Sequence, residues 1–334
     1  MIVNPGILTW TIRLAVALAF TVVVLGAYVR LSHAGLGCPD WPGCYGEMIV
    51  PDQVAPDVES QHQRPLEQGK AWKEMIHRYA AGTLGLLIAV LAIISWKNRK
   101  QPGQPLLLPG LLVALVVFQA ALGMWTVTLL LRPVIVVAHL LGGMTILSLL
   151  FWMLLERSGD NTHARSPALF PWVVAALAML ALQISLGGWT SANYAALACP
   201  DFPVCQGQWW PPMDFAGGFT LWHKPGMDYE GGILAGNARA AIHMAHRLGA
   251  LFSFLIIGTT ALCALLDGNK PAGRLGLLLL GALLVQLLLG ISNVLLRLPL
   301  PVAVAHNAVA ALLLLTLVAL LHRTISPGIY RGAA

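Results

Sequence analysis

Apolar residues run along this chain in eight blocks, near 7–30, 74–96, 106–130, 134–155, 168–190, 239–265, 273–296 and 300–322. Each is long enough to cross a bilayer as a helix, which takes about 20 residues. The first block is too long for the apolar part of a signal peptide and lacks a basic stretch before it, so it reads as a retained helix. The predicted fold is an all-α integral membrane protein with eight transmembrane helices.

Composition sharpens this picture. The 334 residues are 57% hydrophobic and only 10% charged. A soluble domain carries about 25% charged residues, so a water-facing surface of ordinary polarity cannot be built from this chain. A disordered chain, a secreted disulfide scaffold and a nucleic-acid module are excluded on the same grounds. The lipid bilayer is the expected environment.

Charge placement suggests an orientation. Two long connections, 31–73 and 191–238, carry Asp40, Glu47, Asp52, Asp57, Glu59, Glu67, Asp201, Asp214, Asp228 and Glu230. The connections on the other side, with the C-terminal tail, carry Lys97, Arg99, Lys100, Arg157, Arg165, Lys270, Arg274, Arg323 and Arg331 against Glu156, Asp160 and Asp267. The basic side is expected to face the cytoplasm, with both termini, and the two long loops to face outward. For a bacterial chain that means the inner membrane.

The chain also repeats itself. Cys38-Pro39-Asp40-Trp41-Pro42-Gly43-Cys44 recurs as Cys199-Pro200-Asp201-Phe202-Pro203-Val204-Cys205, an offset of 161. His77-Arg78 recurs as His246-Arg247, an offset of 169. Gln119, Gly123 and His139 recur as Gln286, Gly290 and His306, an offset of 167. Each half holds four helices, an even number, so both enter the membrane from the same side. Two tandem four-helix bundles related by a parallel pseudo-two-fold axis are expected, over 1–160 and 161–334. Small residues should line the helix seams, among them Gly82, Gly85, Gly142, Gly143, Gly187 and Gly188. Gln119, Gln183 and Gln286 are expected to bond between helices or to touch a cofactor.

Four of the ten histidines carry the chemistry. His33, His62, His163, His223 and His322 fall in loops or at ends. His77, His139, His246 and His306 each lie three to eight residues inside the outer end of a block. A single intramembrane histidine is commonly just hydrogen-bonded. Four at one depth, two per half, call for a ligand. A zinc site would want four protein ligands, and no Cys, Asp or Glu completes such a set in the second half. Two axial imidazoles suffice for haem iron, since the porphyrin supplies the other nitrogens. One porphyrin per half is therefore expected, on His77 with His139 and on His246 with His306. Arg78 and Arg247 suit either a haem propionate or the bilayer interface.

Gly26-Ala27-Tyr28-Val29-Arg30-Leu31-Ser32, the Cys-Pro-Asp-Trp-Pro segment, Glu74-Met75-Ile76-His77-Arg78 and the repeated bundle together resemble the haem A synthase family over essentially the whole chain. The resemblance implies an oxidoreductase that converts the C8 methyl of haem O to a formyl group, giving haem A for a terminal oxidase. It implies His77, His139, His246 and His306 as iron ligands, haem b as cofactor in the C-terminal half and substrate haem in the N-terminal half. A haem O synthase would supply the substrate. The electron acceptor is not indicated, and self-association into a homo-oligomer is left open.

The halves differ beside the ligand. Glu74 lies three residues before His77, on the same helix face, where the second half has His243 before His246. A carboxylate there can take protons or stabilise a cationic intermediate, so Glu74 is the expected catalytic residue. A helix-start acid favoured by the macrodipole is the alternative. A di-haem cytochrome b, moving electrons without porphyrin chemistry, is the competing function. It gives no reason for the halves to differ at this position.

Cys38 with Cys44 and Cys199 with Cys205 lie in the outer loops, where paired thiols form disulfides. A loop staple and a redox pair both fit. Tetrahedral zinc does not, because five residues separate the cysteines of each pair. Cys263 reads as a packing residue. Trp41, Trp72, Trp209, Trp210 and Trp222 suit the membrane interface.

Overall fold

The computed structural model of the chain describes residues 5–62, 64–101, 104–157, 166–223 and 226–325. Asp160, His163, Arg165 and Arg331 lie outside the described residues. The helices are α1 (Pro5–Leu31), the short α2 (Pro56–His62), α3 (Gln68–Lys97), α4 (Leu107–Thr128), α5 (Pro133–Arg157), α6 (Phe170–Ala192), the short α7 (Phe215–Gly218), α8 (Gly236–Leu266), α9 (Lys270–Leu295) and α10 (Leu300–Thr324). All except α2 and α7 are long and apolar enough to span a membrane. This is the all-helical, multi-pass architecture expected from the apolar blocks.

Two helices start earlier than their apolar blocks. α3 begins at Gln68 and α8 at Gly236, because their first turns carry Lys70, Lys73, Asn237 and Arg239. Such a polar turn is helical without being hydrophobic. His77 therefore lies nine residues after Gln68 and His246 ten after Gly236, deeper than expected. His139 and His306 lie six residues after Pro133 and Leu300, within the expected range.

The short connections are built alike. Leu130 and Leu131 take φ of 52° and 60°, and Arg297 and Leu298 take 59° and 63°. The left-handed pair lets Leu131 N donate back to Thr126 O at 2.8 Å, and Leu298 N to Asn293 O at 2.7 Å. These bonds satisfy carbonyls at the helix end before the chain turns back.

Helix α1 packs on α3, α3 on α4, α4 on α5, and α5 back on α1. A second closed circuit runs α6, α8, α9, α10 and back to α6. The circuits meet where α1 touches α10, α5 touches α6, and α5 touches α10. Arg30 donates to Ser191 O at 2.6 Å, and its guanidinium lies 4.4 Å from the Tyr194 ring. His33 stacks on Tyr194 at 5.6 Å. Arg30 and Ser191, like His33 and Tyr194, are 161 residues apart, the offset of the cysteine motifs.

Each circuit has an apolar core at the end away from the histidines. In the first, Leu8, Ile12, Ile88, Leu91, Leu112, Leu147 and Leu150 are buried together. In the second, Val173, Leu180, Ile257, Leu279, Leu313 and Leu317 are. Outward residues such as Leu86, Val117, Leu277 and Leu288 are more than half exposed, as a lipid-facing surface requires. At the seam between circuits, a Cβ on Gly188 would stand 2.9 Å from Leu140. Gly82, expected at a seam, meets nothing within 4 Å and faces outward.

The second long loop crosses onto the first circuit. Tyr229 N donates to Leu130 O at 3.1 Å, and its side chain is buried with Leu36, Val127 and Leu131. Arg64, from the first loop, clasps Asp228 at 2.5 Å and Glu230 at 2.6 Å. Arg132 donates to His223 O at 3.2 Å and lies 4.5 Å from the Trp222 ring.

Candidate functional site

The four histidines sit on diagonally opposed helices. His77 is on α3 and His139 on α5, which face each other across the first circuit; His246 on α8 and His306 on α10 do so across the second. Members of each pair are near enough to interact electrostatically. The structure thus brings together the two pairs expected from the sequence.

Each ring rests on a glycine of the preceding helix. A Cβ at Gly26, Gly123, Gly187 or Gly290 would lie 3.1–3.2 Å from Cε1 of His77, His139, His246 or His306 respectively. Even a methyl group there would crowd the ring, which would have to give by a few tenths of an ångström. Glutamines one turn inward support three of the four. Gln183 Nε2 lies 3.0 Å from His246 O and 3.1 Å from its Nδ1, and Gln286 Nε2 lies 3.2 Å from His306 Nε2. Gln119 donates to His139 O. The corresponding residue before Gly26 is Val22, so His77 has no glutamine. Gly26 stood in the sequence motif without a role; its spacing of four from Val22, against Gln-x-x-x-Gly elsewhere, was the signal that could have assigned one.

The level of the rings is not packed like the core. All four histidines keep partial exposure, and Val134–Gly143 of α5 contains no fully buried residue. Nδ1 of His77, His139 and His306 has no hydrogen-bond partner. Among the described residues, no group of three or more His, Cys, Asp or Glu could hold a bare metal ion. Two opposed imidazoles with space between them fit a metal that brings its own macrocycle.

A clasp caps each pair. Glu74, buried one turn outward from His77, accepts from Cys38 N at 2.9 Å and from Arg78 at 2.5 Å. Arg78 also donates to Asp40 O, Pro42 O, Gly43 O and Cys38 O at 2.5–3.4 Å. In the second half His243 replaces Glu74. Cys199 N lies 3.2 Å from His243 Nδ1, and Arg247 Nε lies 3.3 Å from its Nε2. A neutral imidazole has one acceptor nitrogen, so it cannot satisfy both donors as a carboxylate does. Arg247 donates to Cys199 O, Asp201 O and Val204 O. Both arginines thus hold the cysteine loops, a partner set that the spacing did not suggest.

The loops themselves are copies. Cys38–Cys44 and Cys199–Cys205 form disulfides with Cα separations of 4.7 and 4.5 Å. Tyr45-Gly46 and Gln206-Gly207 take positive φ at both turn positions, as tight hairpin turns require. Asp40 accepts from Tyr45 N and Gly46 N, and Asp201 from Gln206 N and Gly207 N, all at 2.7 Å. The Gly207 amide, with that of Gln206, holds the Asp201 carboxyl below its ordinary value of 3.8. A depressed value means the carboxylate supports the folded loop above 3.8, and the support is lost as pH falls through the lower folded value. Reduction of Cys199–Cys205 by a water-soluble phosphine should therefore stay slow down to about pH 4 and accelerate below it. The Asp201→Asn chain should be fast throughout. An identical profile in both chains would remove the carboxylate from this account.

A membrane-spanning helical protein with two opposed histidine pairs under stapled loops is the class that this fold and site define. The chain belongs to the Cytochrome oxidase assembly protein family, which matches residues 9–318. It is 45% identical over 320 residues to a Heme A synthase of Shewanella oneidensis, covering 93% of this chain and 94% of the relative. It is 28% identical to a Heme A synthase of Rhizorhabdus wittichii, covering 94% and 93% of the two chains. It is 29% identical to a Heme A synthase of Methylobacterium radiotolerans, covering 97% and 91%.

Proposed function

We propose that this protein is a haem A synthase, oxidising the C8 methyl group of haem O to a formyl group. The observation that carries the reading is the pair of opposed imidazoles in each circuit, in a chain 45% identical to a Heme A synthase. His77 and His139 hold the substrate haem in residues 1–160, and His246 and His306 hold haem b in residues 161–334. Bound haem supplies the redox chemistry. The chain positions it, excludes water and handles protons.

The asymmetry of the halves supports this division. Glu74 is the only fully buried acid among the described residues. It lies one turn from His77, where it would be available to exchange a proton with a haem held by that histidine. Arg78 keeps that carboxylate oriented through Oε1. The second half has His243 there and lacks the acid. The rings of His77 and His139 have no glutamine on them, unlike those of His246 and His306, and looser ligands suit a site that must release its product.

The protein lies in the inner membrane with both termini cytoplasmic and the cysteine loops outside, by the distribution of Lys and Arg. A haem O synthase delivers the substrate, a terminal oxidase receives the product, and an acceptor takes the electrons. The disulfides act as loop staples, since each closes a turn already fixed by an aspartate and an arginine.

Glu74→Gln keeps an acceptor for Cys38 N and loses the proton-transfer group. Expressed with a haem O source, this variant should accumulate haem O and lose haem A by about a hundredfold or more, with the bis-imidazole spectrum intact. Haem A at the wild-type rate would remove Glu74 from the chemistry. Haem b alone in the extracted pigment of the wild-type protein would point to an electron-transfer cytochrome instead.

A further inference from the structure

Among the described residues no acid forms a salt bridge with Arg239. It lies in the first turn of α8, which contains no acid. A positive charge there opposes the helix dipole. Its Nε is buried without a hydrogen-bond partner, and so is the Tyr194 hydroxyl. Both residues line a cavity of about 270 Å³, together with Leu197, Ala198, Gln206 and Gly236. An unpartnered guanidinium nitrogen, an unpartnered hydroxyl and the helix start at Gly236 thus border one space.

The position of the cavity indicates what fills it. Gly187 of α6 touches the His246 ring of α8. Seven residues outward along each chain from that contact stand Tyr194 and Arg239. On α8 those seven residues rise about 10 Å and return to nearly the same face, while Tyr194 stands just past the end of α6 at Ala192, with φ of 53°. The donors therefore lie above His246, on the outer side. The equivalent of Arg239 in the first half is Lys70, and Lys70 is already paired with Glu67 at 2.7 Å. Of the other cations nearby, Arg247 is held by loop carbonyls and Arg30 by Ser191 O.

We propose that Arg239 and the Tyr194 hydroxyl form a carboxylate-binding site that anchors a propionate of the haem on His246 and His306. The inference rests on the haem-holding reading of that histidine pair. It also separates the halves: the second retains its haem through a carboxylate anchor, and the first, with its lysine neutralised, releases its haem.

The test is haem uptake by the full-length chain, produced without haem and purified in detergent. The probes are iron protoporphyrin IX and its dimethyl ester, which lacks the carboxylates. Uptake by the His246→Ala chain is the blank for binding elsewhere. The intact chain should prefer the free acid by about tenfold or more, the scale of one hydrogen-bonded ion pair. Arg239→Gln should lose most of that preference, Tyr194→Phe part of it, and Arg239→Lys should keep the larger share. Full preference in Arg239→Gln would overturn the proposal. So would an unchanged preference accompanied by loss of co-purified phospholipid, which would assign the donors to a lipid phosphate. Equal uptake by the intact and His246→Ala chains would defeat the haem reading of the pair itself, a result independent of Arg239.

Discussion

Replacing Arg78 with alanine should destabilise the protein by about 3–5 kcal/mol, the cost of leaving a buried charge without its partner. Glu74 would lose its cationic partner and keep only backbone amides of the loop, and four loop carbonyls would lose their donor. The equivalent change in the second half is milder. Arg247 faces the imidazole of His243 rather than a carboxylate, so Arg247→Ala strands no buried anion and should cost about 1–3 kcal/mol. Thermal unfolding in detergent reads the difference. Reductant access to Cys38–Cys44 against Cys199–Cys205 locates it. Equal losses would mean that the clasps act through the carbonyls alone and that the Glu74 charge is not confined.

Gly187→Leu should empty the second histidine pair. Even a Cβ at this position stands 3.1 Å from His246 Cε1, and a leucine drives the ring out of line. Overpacking on this scale costs about 1–3 kcal/mol, which corresponds to haem retention lower by roughly tenfold or more. Gly290→Leu should do the same through His306, whose Cε1 is 3.2 Å from the added Cβ. Gly82→Leu is the control, since it meets nothing within 4 Å. Haem content per chain after purification decides the matter. If Gly187→Leu kept a full complement, the glycine contact would have no part in holding His246.

The helices were legible because a membrane span is a run of about 20 apolar residues, and little else produces one. The histidine pairs were legible because the chain carries the pattern twice. The start of α3 was not, since Gln68–Lys73 is polar and helical at once. Nor were the partners of Arg78 and Arg247. An arginine beside a ligating histidine suggests a propionate, whereas the carbonyls it binds belong to a loop about 40 residues away in sequence. Loop carbonyls carry no residue-type signature. Arg239 escaped notice for a related reason. In the sequence it is one more basic residue near a helix start, and only the cavity that it shares with Tyr194 in three dimensions sets it apart.

The strap at Tyr229 bears on how the protein is made. The Leu36, Val127 and Leu131 surface that it covers belongs to the first circuit, but the strap follows α6 in the chain. About a hundred residues separate Leu131 from Tyr229, so at 5–20 residues per second the first circuit waits about 5–20 s for its cover. During that interval its outer end is open, and the second circuit's helices α8, α9 and α10 have not yet been synthesised. The order of synthesis thus leaves the Leu36, Val127 and Leu131 surface uncovered until the second loop has been made.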